Sequence, residues 1–115
     1  MTSGRMRRVD EAMREVLSGA ITSGLKDPRV GFVTVTAVET APDLRHARVY
    51  VSVLGDAPVR RRSLDGLRSA HGYLQRRVAD ELNLKHTPTL DFVYDDSTDR
   101  GQRIAELLER ESEER

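Results

Sequence analysis

The chain has no cysteine and no tryptophan among its 115 residues, only two lysines, only five aromatic side chains and no long apolar run. Without cysteine it has no disulfide, no thiolate nucleophile and no cysteine-based zinc site, a composition compatible with a reducing compartment. No stretch approaches the roughly 20 apolar residues that span a bilayer as a helix, and Met1 to Arg8 lacks the apolar segment of a signal peptide. No membrane association and a cytoplasmic location are therefore expected. The five aromatics, Phe32, Tyr50, Tyr73, Phe92 and Tyr94, do not form the cluster that an RRM sheet uses to stack bases, and most are expected in the core. Neither Lys26 nor Lys85 follows a glycine, so there is no Walker A loop, and Gly-x-Gly-x-x-Gly and Gly-x-Ser-x-Gly are missing. His46, His71 and His86 lack metal-ligand spacing. No metal, no cofactor and no catalysis are expected.

What is present suits one soluble domain with a single core, a hydrophobic fraction of 37% beside a charged fraction of 33%. The net charge of zero hides an uneven distribution. Residues 1 to 90 carry 15 Lys or Arg against 10 Asp or Glu, and residues 91 to 115 carry 4 against 9, so a basic body precedes an acidic tail. Of the 19 basic residues 17 are Arg, the better bidentate ligand for phosphate. GC-rich genomes raise Arg over Lys too, so the bias favours a polyanionic partner only weakly.

Met6, Val9, Met13, Leu17, Ala20 and Ile21 recur at three- and four-residue spacing and predict an amphipathic helix over 6–25, ended by Lys26-Asp27-Pro28. Gly31 opens the β-branched run Phe32 to Val38, a strand. Ala41-Pro42-Asp43-Leu44 has turn chemistry, and Ala47, Val49, Val51 and Val53 alternate in a second strand, antiparallel to the first. From Ser63, read as an N-cap, to Leu84 runs a helical pattern broken at Ser69-Ala70-His71-Gly72: Leu64, Leu67 and Ala70 lie before the break, and Leu74, Val78 and Leu82 after it. Two short helices thus meet at a glycine, with Ser69 capping the second. Leu90, Phe92 and Tyr94 mark a third strand, and Ile104, Leu107 and Leu108 a tail helix.

The fold class is α+β, in the order α-β-β-α-kink-α-β, with helices covering a three-stranded sheet and a C-terminal tail helix. Residues 1–4 read as a flexible start, 5–96 as the domain and 97–115 as the helix with its acidic tail. A helix junction packed on a small sheet can present free N–H groups to a nucleic-acid backbone. The expected RNA-binding set is therefore Ser69, Ala70, His71 and Gly72 at the kink, with Arg68, Arg76 and Lys85 beside it, Arg7 and Arg8 on the first helix, Lys26 and Arg29 after it, and Arg45. His71 is expected to be exposed, stacking on a base or touching phosphate. Asp95, Asp96 and Asp99 could serve a hydrolase, but at a strand-to-helix junction they read better as caps, and Asp43 as a turn residue. An adaptor working through its acidic C-terminal helix is the alternative function.

The element order resembles the type II KH domain. Leu25-Lys26-Asp27-Pro28-Arg29-Val30-Gly31, then Pro42-Asp43-Leu44, Ala47 to Gly55, and Phe92-Val93-Tyr94-Asp95-Asp96-Ser97 are similar to the bacterial ribosome-binding factor A family, in register from about Arg5 to about Leu108. Like that family, and unlike the general KH loop with its Gly-x-x-Gly, the chain has an Ala-x-Gly kink at Ala70-His71-Gly72. The resemblance implies a non-catalytic factor, a monomer, whose partners are the immature 30S subunit and its 16S rRNA, and which assists rRNA maturation including processing at the 5′ end.

Overall fold

Spacing of apolar residues along the first helix, α1 (Gly4–Gly24), sets which face it lays on the sheet. Met13, Leu17, Ala20 and Ile21 are buried, and the polar side stays in water. The computed structural model describes residues 4–96, and the expected tail helix and the acidic tail lie outside them. β1 (Val33–Thr40) and β2 (His46–Val53) pair antiparallel, as expected, and β3 (Thr89–Tyr94) joins the other side of β2 in parallel. The parallel pairing needs a crossover, which α2 (Ala57–Ser69) and α3 (His71–Leu82) supply. One face of the sheet, with Val35, Val38, Val49, Val51, Leu90 and Phe92, packs under the helices. The other carries His46, Arg48, Tyr50 and Ser52 and is open.

On β1 the buried positions Val35 and Val38 are three apart, because the register slips between Val35 and Ala37. Thr36 is the additional residue of this bulge. Its hydroxyl lies 2.6 Å from an Asp95 carboxylate oxygen and 3.2 Å from the Tyr50 carbonyl, tying the start of the tail segment to the bulged edge strand. Asp95 thus acts as a structural acceptor, and Asp99 lies outside the described residues.

Three expectations need correction, two of them about the crossover. The N-cap of α2 is Asp56, whose carboxylate accepts the Val59 N–H at 3.2 Å, and not Ser63. Pro58 is tolerated because the first-turn N–H groups have no helical acceptor anyway. Ser63 sits inside α2, fully buried, where its hydroxyl accepts the Gly31 N–H at 3.2 Å and reaches the Arg29 carbonyl at 3.4 Å. The joint between the helices is Ala70, at φ −89° and ψ 11°, angles that need no glycine. Ala70 therefore occupies the cap position expected for Ser69, and it packs half-buried on the core. Finally, of the aromatics only Phe92 is core: Tyr50 and Tyr94 are half-buried, Tyr73 lies at the surface and Phe32 is 81% exposed.

Gly66 explains how the segment after α1 reaches α2. A Cβ there would stand 2.6 Å from a Val30 methyl and 3.4 Å from the Arg29 Cβ. Alanine in mid-helix ordinarily stabilises by about 0.5–1 kcal/mol over glycine, but overpacking of this kind costs about 1–3 kcal/mol. Gly66→Ala is thus expected to lower stability by about 1–2 kcal/mol, read as a lower thermal midpoint, against its helix propensity.

Candidate nucleic-acid interface

A shallow groove runs between α3 and the loop that leads to β3. Gly72, Gln75, Arg76 and Ala79, at helical spacing, form one wall, and Thr87 the other. Two side chains of α3 hold the walls together. His71 Nε2 accepts the Leu90 N–H at 3.0 Å, and the Gln75 amide donates to the Pro88 carbonyl at 3.1 Å. Gly72 leaves the groove open at the N-terminus of α3, since a Cβ there would meet nothing within 4 Å. No side chain caps that terminus, so the positive end of the helix dipole lies beside the groove at Gly72 without a capping oxygen.

Beyond Thr87 the concavity continues. Arg45, His46 and His86 line the next depression with the same Thr87. Their chain neighbours Leu44 and Lys85 line a further one with Arg5 and Val9 of α1, and Arg8 joins on its far side. The turn geometry places Arg45 there. The Asp43 carboxylate accepts the Arg45 N–H at 3.0 Å, as expected of a turn residue, and Leu44 is held at φ 62°, a left-handed conformation unusual for leucine. Such a conformation costs on the order of 1 kcal/mol and persists only when its surroundings impose it. Asn83 closes α3 in the same left-handed region, where asparagine is comfortable.

Electrostatics separates the cations into two groups. Arg76, Arg45, Lys85, Arg8 and Arg5 make no ion pair among the described residues, and all are exposed along the concave track. Arg7 and Lys26 are likewise exposed and unpaired, but neither lines the track. Arg29, by contrast, grips Asp27 with Nη2 at 2.7 Å and Nε at 3.1 Å. That fork, with the Arg29 N–H, holds the Asp27 carboxyl down at about 2, against 3.8 for a free carboxyl, and raises Arg29 in turn. Arg68 donates to the Phe92 carbonyl at 3.1 Å and lies 3.8 Å from Asp65. Arg77, with Tyr73 and Glu81, and Arg14, with Glu11, are neutralised similarly.

The kink residues divide as well. Ser69 and Gly72 are exposed, Ala70 packs on the core, and His71 is half-buried with Nε2 already bonded. His71 is thus not the exposed side chain that its neighbours in sequence suggest. Gln75, Ala79, Thr87, Arg5 and His86 complete the track without having been expected. The helical spacing of Gly72, Gln75, Arg76 and Ala79 was the available signal for the first two.

The open sheet face has a depression too, lined by Glu39, His46, Arg48 and Asp91, but it is electrostatically different. Arg48 stands opposite Glu39 on β1 and Asp91 on β3, so its charge is balanced in place. Among the described residues no group of His, Cys, Asp and Glu could hold a metal ion, and no helix is long and apolar enough to cross a membrane.

Comparison with known proteins adds an independent line. The sequence model of the family described as Ribosome-binding factor A matches residues 5–108. A ribosome-binding factor A from Anaeromyxobacter sp. (strain K) is 52% identical over 108 residues, covering 93% of this chain and 78% of the relative. The solution NMR structure of a ribosome binding factor A homologue from Thermotoga maritima superposes with a TM-score of 0.72 at 32% identity, over 81% of this chain and 89% of that one. A homology model of the Thermus thermophilus ribosome binding factor A, fitted into the cryo-EM map of its complex with 30S, matches with a TM-score of 0.63 at 25% identity, over 76% of this chain and 91% of that one.

Proposed function

The chain belongs to the ribosome-binding factor A family, and we propose that it binds the immature small ribosomal subunit through 16S rRNA and assists maturation of that RNA, including processing at its 5′ end, without catalysing a reaction. The observation that carries this reading is the run of cations, unpaired among the described residues, along a series of neighbouring depressions from Arg76 on α3 to Arg8 on α1. Phosphates meet N–H groups at Gly72 and guanidinium and ammonium groups beyond it, while the small side chains of Gly72 and Ala79 let a backbone approach. A factor of this kind acts by binding one rRNA conformer better than another, which shifts their populations by the ratio of the two affinities. The Thermus relative fitted into a 30S complex supports the same partner.

Co-sedimentation with purified small subunits tests the reading, with Gly72→Asp as the informative variant. A carboxylate at that exposed position meets no neighbour and suits a helix N-terminus, so the unfolding midpoint should hold or rise slightly. It also sets a negative charge where a phosphate would dock. We expect association to weaken by about tenfold or more. Equal binding by Gly72→Asp, or no binding by the unaltered chain, would remove the proposal.

A further inference from the structure

At the end of the sheet away from the groove, two large apolar side chains stand together in solvent. Phe32 is 81% and Leu54 75% exposed. The Leu54 N–H donates to the Phe32 carbonyl at 3.0 Å, extending the pairing that sets Val33 opposite Val53. Their backbone is fixed from beneath: a Cβ on either adjoining glycine, Gly31 or Gly55, would touch Val59 of α2, and the Gly31 N–H is bonded to Ser63. The pair is therefore presented on a firm base, with no side chain among the described residues covering it.

Positive charge borders it on α2. Arg62 follows Val59 by three residues and precedes Gly66 by four, which places it on the edge of α2 that borders Val30 and Gly31. Arg61 and Arg62 are exposed and make no ion pair among the described residues. Of the carboxylates near this end of the sheet, Asp27 is held by Arg29, Asp56 caps α2 and Asp95 accepts the Thr36 hydroxyl. An apolar platform with cationic neighbours suits a base and its phosphate. It does not suit a second copy of the chain. Two side chains fall far short of the roughly 800 Å² that each partner buries in a standard interface, and self-association would set like charges against each other.

We infer that Phe32 and Leu54, with Arg62, form a second RNA contact, in which an unpaired base stacks on the phenyl ring and Arg62 holds the adjoining phosphate. β2 separates this contact from the groove by about 23 Å at the rise of a strand. The two sites therefore engage separate stretches of RNA, and together they fix the orientation of the protein on a particle. The inference goes beyond the function proposed above and shares with it only the class of partner.

The chain contains no tryptophan, so Phe32→Trp introduces a single indole at the contact. Single-stranded oligoadenylate of about 12 nucleotides is expected to quench its emission, and adding Arg62→Ala to weaken that titration about tenfold. Phe32→Ala should weaken small-subunit association about tenfold with an unchanged unfolding midpoint, the side chain being exposed. Absence of quenching while the unaltered chain still binds subunits overturns the inference. If Phe32→Ala weakens subunit association in that case, the patch belongs to a protein component instead. Quenching without any subunit association by the unaltered chain keeps this contact and removes the function proposed above.

Discussion

Simultaneous reversal of Arg45, Arg76 and Lys85 to Glu should reduce small-subunit association by at least about a hundredfold and leave the fold intact. The three side chains are exposed and unpaired among the described residues, and they line successive parts of one concave track. Losing a single phosphate contact costs on the order of 1 kcal/mol, so neutralising three gives roughly 3 kcal/mol, which is already more than a hundredfold, and reversal adds repulsion. The dependence of affinity on salt should become shallower as well. A matched variant separates position from net charge. Reversing Arg14, Arg29 and Arg77 changes the total charge equally, but these guanidiniums are already bound to Glu11, Asp27 and Glu81. Its effect on association should be several-fold at most. If the two variants lose affinity equally, the protein binds through its overall field rather than through the track.

Sequence and structure agree where a periodic apolar pattern decides the outcome, and part at the start of α2 and where distant residues meet. The alternation Ala47, Val49, Val51, Val53 and the α1 stripe ending in Ala20 and Ile21 are buried as read, because each element needs only one face in the core. The bulge at Thr36 was not legible, since its stabilising partner Asp95 comes 59 residues later. The start of α2 was hidden by Pro58 and three arginines, which read as a loop although a first turn accepts both. The position of His71 followed the same logic. Locally it is a polar residue beside a glycine, and only the arrival of β3 gives Nε2 the Leu90 N–H to accept.

For the interface, the sequence named cations but not which of them are spent. Arg29 and Arg76 look alike in one dimension. The turn at Asp27-Pro28 folds the Asp27 carboxylate onto the Arg29 fork, whereas Arg76 makes no ion pair among the described residues, with Asp80 one turn further along α3. Pairing, rather than the presence of arginine, determines which charges remain available to a polyanion.

Phe92→Ala should be the most destabilising of these substitutions. The ring is 1% exposed on β3, opposite Val49, beneath the crossover helices. Truncating a buried phenylalanine removes its transfer free energy and leaves a cavity, costing about 3–5 kcal/mol, a large part of the roughly 5–15 kcal/mol that holds a domain folded. The thermal midpoint should fall by at least about 12 °C. Phe32→Ala deletes the same atoms from the surface and should cost within about 0.5 kcal/mol, so the pair isolates burial from chemistry. Binding adds a second discrimination. Thr87, which walls the groove, and Pro88, whose carbonyl holds Gln75, lead directly into β3, and the Phe92 carbonyl anchors Arg68 of α2. Loosening β3 therefore opens the groove, and Phe92→Ala should lose subunit association in step with unfolding and regain it on cooling. The triple charge reversal should stay weak at every temperature, because its fold is intact and its loss is electrostatic. Persistently weak binding by Phe92→Ala under conditions where it is fully folded would mean that β3 contributes more to the interface than the position of the groove wall.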